Sequence, residues 1–224
     1  MNKVISYATQ KFKPSQDLLR VKSLENGAEQ VINYAPQNIE RSFLQKNIKI
    51  LSNPKGAGLW LWKPYFILKT LIAADDGDIV LYCDAGMYPT CDLDPLFKLA
   101  DEKEIVLFQV HGKKVKDWTN SRCIELMNCN QQTLELEQVC GAPQVYKRSE
   151  KSILFLKNLL SRCENYELIN DFGNEKHRHD QSILTILAHQ NNMEIHRDPS
   201  QWGNDYPREN SKYPQIFNLH RGKL

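Results

Sequence analysis

The sequence contains no run of about 20 apolar residues of the kind that spans a bilayer. Its opening stretch, Met1 to Thr9, is too short and too polar for a secretory leader, so the sequence predicts a cytoplasmic protein. There is no excess of charge of one sign either. The formal net charge is +2, which gives no electrostatic reason to expect nucleic acid as the main partner. Six cysteines are present and no two form a C-x-x-C pair, which argues against zinc ribbons and thioredoxin-like redox sites. They read as reduced thiols packed as small hydrophobes. The phosphate loop G-x-x-x-x-G-K-[ST] and the dinucleotide fingerprint G-x-G-x-x-G are both missing. No internal repeat and no low-complexity tract interrupts the chain.

What remains is an ordinary globular composition over 224 residues, 41% apolar and 25% charged. That length suits one domain over residues 1–224, able to bury roughly 70% of its unfolded surface. Strand-like and helix-like segments alternate. Strands are expected at Val4–Ala8, Gln30–Tyr34, Ile79–Cys83, Glu104–Val110 and Gln144–Lys147. Helices are expected at Ser15–Asn26, Asn38–Lys46, Lys63–Ala74, from Asp94, at Ser121–Met127, Ser149–Cys163 and Asp180–Gln190. The run after residue 190 is rich in Pro, Asn, Trp and Tyr and reads as an extended segment laid over the body. This βαβα order predicts an α/β fold with a largely parallel sheet flanked by helices, and ligands at the carboxyl ends of its strands.

Asp84 follows the apolar strand directly, in Leu81-Tyr82-Cys83-Asp84-Ala85-Gly86. Its carboxylate suits a hard divalent cation such as Mn²⁺ or Mg²⁺, or a loop that it caps itself. Asp92-Leu93-Asp94 spells D-x-D, but Pro95 follows, so Asp94 reads as an N-cap with Pro95 the first helical residue. Gly56-Ala57-Gly58-Leu59-Trp60-Leu61-Trp62-Lys63-Pro64 brings glycines, tryptophans and a lysine to a helix start, which favours an anion unless the rings are core anchors. In His177-Arg178-His179-Asp180-Gln181-Ser182, Asp180 is either an N-cap or a general base for a hydroxyl. The histidine spacing i, i+2 does not suit a helical zinc pair. Near the end, Ile216-Phe217 forms an apolar anchor before His220, Arg221 and Lys223, which together could reach a metal and a diphosphate or form a solvated basic tail. Lys113-Lys114-Val115-Lys116 reads as solvated surface.

Taken in order, Gly58–Pro64, Asp78–Gly86, His179–Ser182 and His220–Lys223 resemble the small GT-A-fold glycosyltransferases of bacterial capsule and lipopolysaccharide synthesis, and the glycosyltransferase domains of large algal DNA viruses. The resemblance implies a metal-dependent transfer of sugar from a nucleotide-sugar donor, UDP-linked by analogy, to a glycan or lipid-linked glycan acceptor, with inversion. No transmembrane segment is implied, and association at a membrane surface is compatible with it. Asp84 matches the metal-binding Asp of the family's degenerate D-x-D motif, with Gly86 standing where a second Asp would be, and Ala85 between them. His220 resembles the late His that completes the metal site, Asp180 the acceptor-side base, and Arg221, Lys223 and Lys63 partners for the diphosphate. Tyr7, Ala8 and Thr9 resemble the edge that binds the donor base, and Gly141, Ala142, Pro143 and Gln144 the loop facing donor sugar and acceptor. The rival readings are a sugar nucleotidyltransferase, which normally carries a Gly-rich loop where Ala8–Phe12 stands, and a non-catalytic nucleotide-sugar-binding domain.

Overall fold

A computed structural model describes residues 1–220. Its centre is a seven-stranded sheet built from β1 (Asn2–Tyr7), β2 (Gln30–Tyr34), β3 (Ile79–Tyr82), β5 (Ile105–Lys114), β6 (Glu137–Val139), β7 (Gln144–Lys147) and β8 (Ile195–His196). The order across the sheet is β2-β1-β3-β7-β5-β6, with β8 also paired to β5. A separate ribbon joins β4 (Met87–Pro89) to β9 (Phe217–Leu219). Strands β1, β2, β3, β5 and β8 run one way, and β6 and β7 run against them. The sheet is thus mostly parallel, as expected, with a reversed strand set between β3 and β5.

Strand periodicity divides the core. Successive residues point to opposite faces, so Ile5, Val80 and Tyr146 enter one apolar cluster, and Val4, Leu81 and Val145 enter the other. On the first face pack α2 (Trp62–Ile72), α4 (Glu150–Cys163) and α5 (Asp180–Gln190). On the second pack α1 (Lys13–Glu25), α3 (Asp94–Lys103) and the anchor Ile216-Phe217, both fully buried. With covered faces on both sides, β3 needs no polar position, and all four of its residues are buried. Each such side chain contributes roughly 1.5–3 kcal/mol of burial. Among the described residues the six cysteines are free thiols, four of them buried. No helix among them is long and apolar enough to cross a membrane.

Several boundaries differ from expectation for local reasons. The sequence starts the first helix at Ser15. The helix starts two residues earlier, with Pro14 in its first turn, and Ser15 is buried inside it. The expected helix over 38–46 is a single 3-10 turn, Pro36–Asn38, followed by a helix over Arg41–Lys46; Asn38 Oδ1 accepts from Ala35 N at 2.8 Å and holds the turn. Asp94 is the first residue of α3 rather than its cap. The bond to its amide comes from Asp92 Oδ1, at 2.9 Å.

Candidate active site

Three charged side chains meet at the carboxyl end of β3. Asp84 emerges two residues after the strand and is half-exposed. Its Oδ1 accepts from the Tyr82 hydroxyl at 2.5 Å. Lys63 Nζ, on α2, stands 3.4 Å from Asp84 Oδ1 and 3.5 Å from Asp180 Oδ2, and donates to Gly141 O at 3.1 Å. Lys63 and Asp180 are both buried. Burial opposes the Lys63 charge, but Asp180 and Asp84 more than offset it and hold its pKa above the usual lysine value. Burial also pushes the Asp180 carboxyl up to about 6, with Lys63 pulling it back and Asp84 adding to the rise. At neutral pH Asp180 is therefore ionised, yet close enough to the working pH to exchange a proton.

Asp180 is not a cap. It is the first residue of α5, and the N-cap position belongs to His179. His179 has φ 54° and ψ −120°, a conformation that costs a non-glycine residue on the order of 1–3 kcal/mol. The ring is pinned on two sides: Nδ1 donates to Ile169 O at 2.8 Å, and the face stacks on Trp60 with centroids 5.2 Å apart. His177 Nε2 donates likewise to Leu168 O at 3.0 Å. Both histidines thus spend a ring nitrogen on backbone and tie down the segment that leads into Asp180.

The glycine–tryptophan stretch sets Lys63. Gly58 has φ +103°, and a Cβ there would lie 2.9 Å from Leu51 Cα, so this close turn requires glycine. The two tryptophans part company after it. Trp62 is a core anchor, stacked on Tyr7 with centroids 3.9 Å apart, while Trp60 lines the site.

The tail closes on the same place. β9 pairs antiparallel with β4, and His220 N donates to Gly86 O at 3.0 Å. Both ring nitrogens of His220 are buried with no hydrogen-bond partner among the described residues. Buried orphan nitrogens ask for a ligand. No three His, Cys, Asp or Glu side chains form a complete metal site among the described residues. A hard cation that also binds phosphate oxygens needs only one or two carboxylates from protein. Asp84 and His220 fit such a part-site. Arg221 and Lys223 lie outside the described residues.

Beside these groups opens a cavity of about 840 Å³. Lys63, Asp84, Gly141, Ala142 and Asp180 line it. Other predicted residues do not. Tyr7 and Ala8 are buried and Thr9 half-buried at the end of β1, and burial pushes the Tyr7 hydroxyl up to about 12. Ala85 is buried and Gly86 half-buried in the turn after β3. Pro143 and Gln144 are buried; Gln144 Nε2 donates to Gly141 O at 2.7 Å and its Oε1 accepts from Tyr146. Gln144 thereby shapes the loop instead of meeting the cavity.

Other residues on this wall carried no sequence signal. Trp118 ends the short helical turn Val115–Trp118, Trp202 sits in the 3-10 turn Gln201–Gly203, Tyr206 in a bend and Asp198 in the non-periodic tail. Lys113 is not simply solvated surface. It lines the cavity and lies 4.8 Å from the Trp118 ring centre, whereas Lys114 and Lys116 pair with Glu135.

No protein-family model matches the sequence, and no curated protein matches it either. Solved structures do match. One is the galactosyltransferase LgtC in complex with donor and acceptor sugar analogues: TM-score 0.56 at 12% identity, over 99% of this chain and 87% of that one. Another is mouse xyloside xylosyltransferase 1 in its apo form: TM-score 0.54 at 8% identity, over 98% and 97%. The bifunctional glycosyltransferase WbbM gives 0.49 at 10% identity, over 83% of this chain and 37% of that one. In fold, then, this chain is a GT-A-like α/β protein similar along nearly its whole length to solved glycosyltransferases.

Proposed function

We propose that the protein transfers a sugar from a nucleotide-diphosphate donor, UDP-linked, to a hydroxyl of a glycan or lipid-linked glycan. One observation carries this reading: a buried carboxylate, Asp180, and a half-exposed one, Asp84, share a single buried lysine on the wall of an open cavity at the strand ends. Asp84 faces the donor diphosphate, and Asp180 faces the acceptor. Lys63 holds both carboxylates in place and keeps their repulsion from separating them. Asp180 takes the acceptor's hydroxyl proton as that oxygen attacks the anomeric carbon, the bond to the diphosphate breaks, and the nucleoside diphosphate leaves. Asp84 and His220 would hold a divalent cation, which would supply positive charge against that leaving group. Single displacement inverts the anomeric centre.

The structural relative solved with donor and acceptor sugar analogues supports a cavity shared by both substrates. The test is a panel of nucleotide sugars in Mn²⁺ buffer, with products identified by mass and the fresh glycoside examined by NMR. Nucleoside diphosphate release with an inverted product is expected. A retained anomeric configuration leaves Asp180 a positioning group. Pyrophosphate release means a nucleotidyltransferase, and tight donor binding without turnover means a binding domain.

A further inference from the structure

The cavity has a second chemical character, away from the carboxylate pair. Trp118 lies on its wall with three cations around its ring: Arg178 at 4.3 Å, Lys176 at 4.7 Å and Lys113 at 4.8 Å from the centroid. Each is attracted by the ring, and the like charges repel one another. The wall's carboxylates have partners of their own. Asp171 pairs with Lys55 at 2.7 Å, Asp180 with Lys63 at 3.5 Å, Glu175 accepts from Ser121, and Asp198 accepts from Ser200 N. Neither Lys113 nor Lys176 makes an ion pair among the described residues; each has only the ring. Lys113 and Lys176 therefore bring positive charge to the indole of Trp118 on the cavity wall.

This wall belongs to the Asp180 side of the site. Ser182 Oγ donates to Trp118 O at 3.1 Å and accepts from Arg178 N at 3.1 Å. One serine in the first turn of α5 thus ties the backbones of Trp118 and Arg178 together beside the residue proposed as base. Further aromatic area follows along the rim, where Tyr206 stacks on His111 at 3.5 Å and Trp202 is exposed. Aromatic faces suit the C–H face of a sugar ring, and guanidinium and ammonium groups suit an anionic substituent on it.

We propose that Trp118 with Lys113, Lys176 and Arg178 forms an acceptor subsite for a sugar carrying an anionic group, a carboxylate or a phosphate. The proposal rests on the glycosyltransferase reading of the same cavity. It is tested by calorimetry and ligand-observed NMR on the full chain with three methyl glycosides that differ only at C6: the glucoside, the glucuronide and the glucoside 6-phosphate. UDP in Mn²⁺ buffer serves as the internal control. The anionic glycosides should bind about tenfold tighter than the neutral one, with an advantage that shrinks as salt is raised. The stronger of the two arms identifies the anion. The double variant Lys113→Gln, Lys176→Gln, checked for folding by circular dichroism, should lose that advantage while its UDP affinity stays. Equal affinity for all three glycosides, with UDP still bound, overturns the anionic subsite alone. A double variant that loses UDP affinity as well also overturns it, because the cations then serve the donor diphosphate. Failure of the unmodified protein to bind UDP or any nucleotide sugar removes the glycosyltransferase reading, and this proposal with it.

Discussion

Asp180 has one carboxyl group and two consequences of pH. Its pKa of about 6 lies above the ordinary aspartate value of 3.8, so between those values the folded protein holds a proton that the unfolded chain has lost. This contribution to stability is therefore full below about pH 4 and falls as pH rises to about 6, after which it stays low. Activity should move the opposite way, because the base works only when ionised. The acid limb of kcat is expected near pH 6, and a limb near 4 would mean that Asp180 is not the titrating group. Lys63→Met leaves two carboxylates without their shared cation; removing one partner of a buried pair costs about 3–5 kcal/mol. Denaturant titration should show that loss, smaller at pH 5 than at pH 8 because protonated Asp180 needs no partner. The two candidate aspartates for metal also separate at this scale. Asp84→Ala should abolish Mn²⁺-dependent donor binding. Asp94→Ala should cost only about 0.3–0.5 kcal/mol, since Asp94 is an exposed partner of Lys98 at 2.6 Å and not a cap. A folded Asp94→Ala protein that loses metal dependence would reverse that assignment.

Among the elements, the turn before α2 tolerates little change. Gly58→Ala places a methyl against Leu51 at a positive φ, so it should destabilise by more than about 1 kcal/mol and shift Lys63 from its carboxylates. A lowered urea midpoint together with weakened activity is the expected pair of results; an unchanged midpoint would mean the turn is not under this constraint. The same turn shows what sequence could and could not carry. Its glycines and tryptophans stood out, but nothing local said that Trp62 would stack in the core while Trp60 faced the cavity. Strands at Gln30–Tyr34 and Gln144–Lys147 and the helix Asp180–Gln190 were legible to the residue, because apolar period and flanking turns agree there. Strand direction was not legible: an apolar run buried on both faces reads the same either way, so the reversal of β7 left no mark. Lys63 and Asp180 were each visible as candidates. Their meeting was not, since it depends on α2 and α5 packing on the same face of the sheet.

In the whole molecule, three distant parts of the chain meet at one end of the sheet. The strand end supplies Asp84, α5 supplies Asp180, and the tail is returned by Phe217 so that His220 meets Gly86. His220→Ala should leave the fold intact, because the apolar anchor remains, and should weaken UDP binding in Mn²⁺ far more than uridine binding. Equal effects on both ligands would detach the tail from the diphosphate. The central claim is that Asp180 acts on the acceptor in a site that also holds a nucleotide-sugar donor. Steady-state kinetics of Asp180→Asn, alongside calorimetric affinity for the donor, tests it most directly. The account predicts a fall in kcat of about 10²-fold or more with donor affinity nearly unchanged. Near-normal turnover by a folded Asp180→Asn protein would contradict it.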